Sequence, residues 1–136
     1  MIQEKFIIQE GAIFIADSHH HSLYQNTLDS AFQELLKFSS RQIFLMGDIF
    51  DFLVGSVQQS LRDNQKTLEL LEQLSFKHKI YYFEGNHDFL LSQIPHFKNI
   101  CYFPLNVQPV CFDFGGKKAY LAHGDIFLNW QYSFYT

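Results

Sequence analysis

Three short apolar runs, each ending in a polar cluster, constrain this chain more than any other feature. Residues 12–16 read AIFIA and run into Asp17; residues 42–46 read QIFLM and run into Gly47-Asp48. Residues 79–83 read KIYYF and run into Glu84-Gly85-Asn86-His87-Asp88. Unbroken apolar runs of this length, without the alternation of a half-exposed strand, suit a sheet covered on both faces. Helical spacing fills the gaps between them. Leu28, Ala31, Phe32, Leu35 and Leu36 fall at the i, i+3, i+4, i+7, i+8 positions, with Asn26 or Thr27 in place to cap the first turn. Leu61, Leu68, Leu71 and Leu74 make a second stripe, and a short helix is expected over residues 88–94, stopped by Pro95. Beyond it, residues 99–103, 107–114 and 117–122 read as strands without helices between them, joined in part by a Gly115-Gly116 hairpin turn. Strand–helix–strand–helix–strand followed by a β-meander predicts a layered α/β fold with at least two parallel crossovers.

The 136 residues fit a single domain, 1–136, in which 47% hydrophobic and 18% charged side chains exclude disordered or collagen-like material. The apolar runs fall far short of the roughly 20 residues that span a bilayer. No basic region precedes an apolar one at the N-terminus, so a secretory signal is not expected and a cytoplasmic address is. A net charge of −4 argues against a broad nucleic-acid-binding face, and Lys117-Lys118 is the only adjacent basic pair. It leaves phosphate chemistry open, because a bound metal supplies positive charge locally. Cys101 and Cys111 are expected as buried thiols in a reducing compartment rather than as a disulfide, and the 16 phenylalanines as core.

Ligands of open α/β sheets collect beyond the carboxyl ends of the strands, and there the polar residues of this chain concentrate. Asp17-Ser18-His19 pairs a carboxylate with an imidazole at residues two apart, which share one side of an extended segment. His20 and His21 are expected at the solvent or the rim. In Gly47-Asp48-Ile49-Phe50-Asp51, glycine permits a tight turn and Asp48 has two oxygens with which to bridge two cations. Asp51 is expected to be structural, as a helix cap or the partner of a backbone amide. In Gly85-Asn86-His87-Asp88, the amide oxygen of Asn86 suits a hard cation and His87 can transfer a proton. Asp88 either caps the following helix or fixes the tautomer of His87. His123-Gly124-Asp125 follows a fourth apolar strand.

Taken together and in this order, these blocks resemble the calcineurin-like metallophosphoesterases, whose signature is D-x-H, G-D-x-x-D, G-N-H-D/E, then H and G-H-x-H. The resemblance covers about residues 12–125, and within that superfamily residues 47–55 (GDIFDFLVG) and 123–125 (HGD) are similar to the UDP-2,3-diacylglucosamine pyrophosphohydrolases of lipid A synthesis. Those enzymes often carry Arg where this chain has His87. The resemblance implies a layered αββα core and a dinuclear centre: Asp17, His19 and Asp48 on one ion, Asp48, Asn86 and His123 on the other. Its mixed oxygen and nitrogen donors imply two divalent ions, Mn first and Fe or Zn next. It also implies that the metal pair activates water against phosphorus, and that His87, with Asp88, serves as the catalytic group that protonates the leaving oxygen or stabilises developing charge. The implied partner is a phosphorylated small molecule or UDP-sugar lipid, with no nucleic acid and with peripheral contact at the inner membrane. Residues 126–136 hold no G-H-x-H block, so the chain is expected to be the N-terminal portion of such a domain. Two other readings stand beside this one: a nucleotide or general phosphodiesterase, and an inactive remnant or protein-binding scaffold on the same fold.

Overall fold

The computed structural model describes residues 6–23 and 26–124. The three apolar runs form β1 (Ile13–Ile15), β2 (Gln42–Leu45) and β4 (Lys79–Phe83), all parallel. Between them lie α1 (Thr27–Leu35), the two-residue β3 (Leu53–Val54), α2 (Gln58–Asp63) and α3 (Gln65–Lys77). After β4 come β5 (Asp88–Phe89), β6 (Cys101–Phe103), β7 (Val110–Phe114) and β8 (Lys117–Leu121), with short 3-10 turns at Leu91–Gln93, Pro95–Phe97 and Leu105–Val107. The main sheet has the order β1-β2-β4-β6.

Strand alternation sorts the side chains of β2 and β4 into two cores. Ile43, Leu45, Ile80 and Tyr82 face the helices, packing with Leu28, Phe32 and Leu35 of α1 and Leu68, Leu71 and Leu74 of α3. Phe44, Tyr81 and Phe83 face the other way, toward Phe103 and the fully buried Phe112 of the β7–β8 hairpin. Rings of Phe14, Phe44 and Tyr81 stack across β1, β2 and β4 with centroids 4.6 and 4.8 Å apart, which accounts for part of the phenylalanine excess. Helices on one face and a second small sheet on the other make a layered α/β architecture.

Several local expectations are corrected. The stripe through Leu61 and Leu74 is broken into α2 and α3 at Asn64, whose side-chain amide donates to the carbonyls of Ser60 and Phe52. No α-helix covers residues 88–94, only the 3-10 turn at Leu91–Gln93: Asp88 and Phe89 pair in parallel with Leu53 and Val54, and Leu90 takes the left-handed conformation. The last strands are not a meander, since β6 joins the main sheet parallel to β4 and only β7 and β8 form a hairpin. Gly115 and Gly116 make that turn with φ of 57° and 82°, as a tight primed turn requires. Asn26 stands at the N-cap of α1 but makes no side-chain cap bond. Cys101 and Cys111 form no disulfide with each other, Cys111 being exposed rather than buried and Cys101 half-buried.

Close pairing of β3 and β5 depends on Gly55, because a Cβ there would lie 1.8 Å from the carbonyl oxygen of Leu90, a backbone atom with little room to move. Gly55→Ala is expected to lower unfolding stability by about 3 kcal/mol, the upper range for overpacking a close-fitted site. Urea titration measures this; a loss below about 0.5 kcal/mol would mean that the β5 turn yields freely.

Candidate metal centre

Polar loops leave β1 and β2 side by side and continue their parallel pairing past the strand ends. The amides of Asp17, His19 and His20 donate to the carbonyls of Gly47, Asp48 and Ile49, and the amide of Asp51 returns to the carbonyl of His20. Neither loop is relaxed. Asp17, His19 and Asp48 have φ of 52°, 44° and 51°, a region that side chains with a Cβ avoid. Three strained residues whose side chains meet at one place mark a site that the surrounding structure enforces.

Two glycines let those side chains converge. A Cβ on Gly47 would stand 2.5 Å from Nδ1 of His123, and one on Gly85 would stand 2.4 Å from Oδ1 of Asp48. Asp48 is buried at the centre. Its Oδ1 accepts from the amide of His87 at 2.9 Å, while its Oδ2 lies 3.2 Å from Nε2 of His123 and 4.0 Å from Nε2 of His19. The other ring nitrogen of His123 sits 3.1 Å from the Met46 carbonyl, which can only accept, so Nδ1 carries the hydrogen. A lone pair on Nε2 and a carboxylate oxygen at 3.2 Å are compatible only with a proton or a cation between them.

Donor atoms gather in two groups within 4.8 Å, one of Asp17, Asp48 and His123, the other of His19, Asp48 and His87. Asp48 is common to both. Nε2 of His19 is also 4.0 Å from Asp17, so Asp17, His19 and Asp48 stand together, with His123 beside Asp48 and His87 next to His19. Asn86 is exposed on the turn between Gly85 and His87. Among the described residues no lysine or arginine pairs with Asp17 or Asp48. A carboxylate and imidazole set without a basic partner fits divalent cations of the Mn, Fe and Zn type.

His87 is anchored by its other ring nitrogen: Nδ1 lies 2.8 Å from the carbonyl oxygen of Asp51, which leaves Nε2 for the donor group. Asp51 thus acts through its backbone, accepting from His87 and donating to His20. Asp88 does neither of the things expected of it. Its carboxylate is fully buried behind the site, where Oδ1 accepts from the amides of Asp48 and Gly85 and Oδ2 from the amide of Ile49, each at 3.0 Å. The hydroxyl of Tyr82 also donates to Oδ2. It touches no imidazole and caps no helix; it is a positioning residue that draws the Gly47 and Gly85 loops together. Burial pushes its carboxyl up to about 6, against the pull of the Tyr82 and backbone donors, and burial beside Asp88 holds the Tyr82 hydroxyl well above the ordinary phenol range.

His20 is likewise misjudged by the sequence, being 2% exposed instead of at the rim. Its Nε2 lies 3.0 Å from the hydroxyl of Thr67, which donates in turn to Asp29, so the ring pins the Asp17 loop to α1 and α3. Burial lowers its pKa, partly offset by Asp29. His21 is half-buried and accepts from the amide of Leu23 through Nδ1. Asp125 and residues 126–136 lie outside the described residues.

A family profile described as calcineurin-like phosphoesterase matches residues 12–135. The chain belongs to the calcineurin-like phosphoesterase family. It is 29% identical over 114 residues to a UDP-2,3-diacylglucosamine hydrolase of Histophilus somni strain 129Pt, a match covering 82% of this chain and 48% of that protein. It is 31% identical over 116 residues to the protein of that name from Tolumonas auensis, covering 83% and 46%. A Haemophilus ducreyi protein of the same name is 30% identical over 115 residues, covering 82% and 48%. This calcineurin-like phosphoesterase therefore spans about half the length of the curated relatives it matches.

Proposed function

We propose that this chain carries the metal-binding site of a hydrolase that cleaves a phosphoester or pyrophosphate bond, with UDP-2,3-diacylglucosamine as the substrate named by its relatives. The convergence of two donor groups on one shared, buried carboxylate, that of Asp48, carries the reading. Asp17, His19, Asp48, Asn86 and His123 would hold two divalent ions, with Mn the first candidate. When bound, such a pair withdraws electron density from the phosphoryl group and makes water nucleophilic at neutral pH.

The protein's own groups supply the rest. Asp48 keeps Oδ1 on the amide of His87 while Oδ2 faces the imidazoles, so the turn that carries His87 and the metal-holding carboxylate move as one piece. His87, with Nδ1–H on the Asp51 carbonyl, presents Nε2, and in its cationic form it would give the proton on Nε2 to the leaving oxygen and remain as neutral imidazole. The catalytic role rests on His87; Asp88 contributes by holding the loops. An enzyme acting on such a substrate would work in the cytoplasm, in peripheral contact with the inner membrane.

The test is turnover of bis-p-nitrophenyl phosphate, nucleoside polyphosphates and UDP-2,3-diacylglucosamine with Mn added and with chelator. Turnover is expected to vanish with chelator, and His87→Ala is expected to lower kcat by about 10²–10⁴ while Mn content is unchanged. Metal-independent turnover that survives His87→Ala would contradict the proposal. Turnover confined to the simple diester or the polyphosphates would move the substrate away from the UDP-sugar lipid.

A further inference from the structure

The geometry points to Gln108 as the positioning residue that holds His123 in register with Asp48; this rests on the metal-site reading above. His123 belongs to neither of the loops that carry the other donors. It follows β8, in a two-stranded sheet that shares no ladder with the main sheet. Packing of Phe112 brings the two sheets together, but packing is tolerant of small slides, and a ligand needs to be fixed more finely.

Gln108 supplies that fixity. Its Nε2 donates at 3.1 Å to the carbonyl of Glu84 and at 2.9 Å to the carbonyl of Phe103, at the ends of β4 and β6. Its Oε1 accepts at 2.8 Å from the amide of His123. Two carbonyls can only accept and a backbone amide can only donate, so the network admits one orientation of the side-chain amide. One side chain thereby ties His123 to the turn that begins at Glu84 and carries Asn86 and His87. The ring of His123 is itself held by Met46 and faces Asp48. Gln108 sits outside every motif, and nothing in its sequence surroundings marks it.

The test compares Mn affinity, read by calorimetric titration, in a double-mutant cycle of Gln108→Met with His123→Ala. Gln108→Met keeps the volume and removes all three hydrogen bonds. It is expected to weaken Mn binding by about 10–100-fold in the otherwise native protein, the usual effect of losing an outer partner of a metal ligand, and by less than about twofold when His123 is already alanine. Gln108→Glu, which keeps the acceptor for His123 but sets a carboxylate against two carbonyls, should behave alike. Equal losses in both backgrounds, or no loss in the first, would overturn the role of Gln108. A native protein that takes up no Mn would instead overturn the metal reading itself. A metal-free check is hydrogen exchange of the His123 amide, expected to accelerate at least about tenfold in Gln108→Met relative to the β2 amides; an unchanged rate counts against the proposal.

Discussion

Asp48→Asn is expected to abolish metal uptake at both positions while leaving the metal-free fold as stable as before, or more so. The carboxylate is the one member common to the two donor groups, so its neutralisation weakens both ions at once. The amide that replaces it keeps an oxygen for the His87 amide and turns an N–H toward Nε2 of His123, supplying the hydrogen that the pair at 3.2 Å otherwise takes from a proton or a cation. That exchange satisfies the pair in the apo protein without a proton or a cation and removes a ligand from the holo one. Activity is expected to fall by at least about 10³, in line with losing the groups that support metal-assisted hydrolysis. Urea midpoints without metal and Mn titration separate the two effects. A variant that still binds Mn tightly, or that unfolds when metal-free, would show that Asp48 is chiefly structural.

The second large effect is expected at Asp88. Asp88→Ala strips an acceptor from the amides of Asp48, Ile49 and Gly85 and from the Tyr82 hydroxyl, all buried, and opens a void beside the Gly85 turn. A buried donor left unsatisfied costs about 1–3 kcal/mol, and the losses here share one neighbourhood, so a total of about 4–6 kcal/mol is expected. Against the 5–15 kcal/mol typical of folded domains, that brings the chain close to unfolding. Asp88→Asn should be milder, at about 2–4 kcal/mol, because the Tyr82 hydroxyl can reverse its role but the Ile49 amide cannot. Denaturant unfolding of the two variants decides it; a change below about 1 kcal/mol in Asp88→Ala would contradict the role assigned to the carboxylate.

The contrast between Asp48 and Asp88 shows what a sequence can disclose. Strand ends that deliver Asp17, Asp48 and His87 are legible because continuous apolar runs announce the sheet, and ligand chemistry at their ends needs particular residue types. The part played by Asp88 is not legible: a carboxylate next to His87 looks the same whether it meets an imidazole or three backbone amides. The distinction depends on β5 pairing with β3, and a two-residue strand leaves no periodicity to read. His20 was hidden for a related reason. A third polar residue after an Asp-x-His pair suggests solvent, whereas its partner Thr67 comes from a helix 47 residues along the chain and links it to Asp29. The parallel placement of β6 also had no local signal, since its crossover from β4 uses 3-10 turns instead of a periodic helix.

Anomalous X-ray scattering from crystals grown with Mn tests the central claim most directly. Two peaks are expected, each within about 2.5 Å of an Asp48 oxygen, one extended toward Asp17 and His123 and the other toward His19. A map in which Asp48, His19 and His123 keep their places and no peak touches Asp48 would contradict the account.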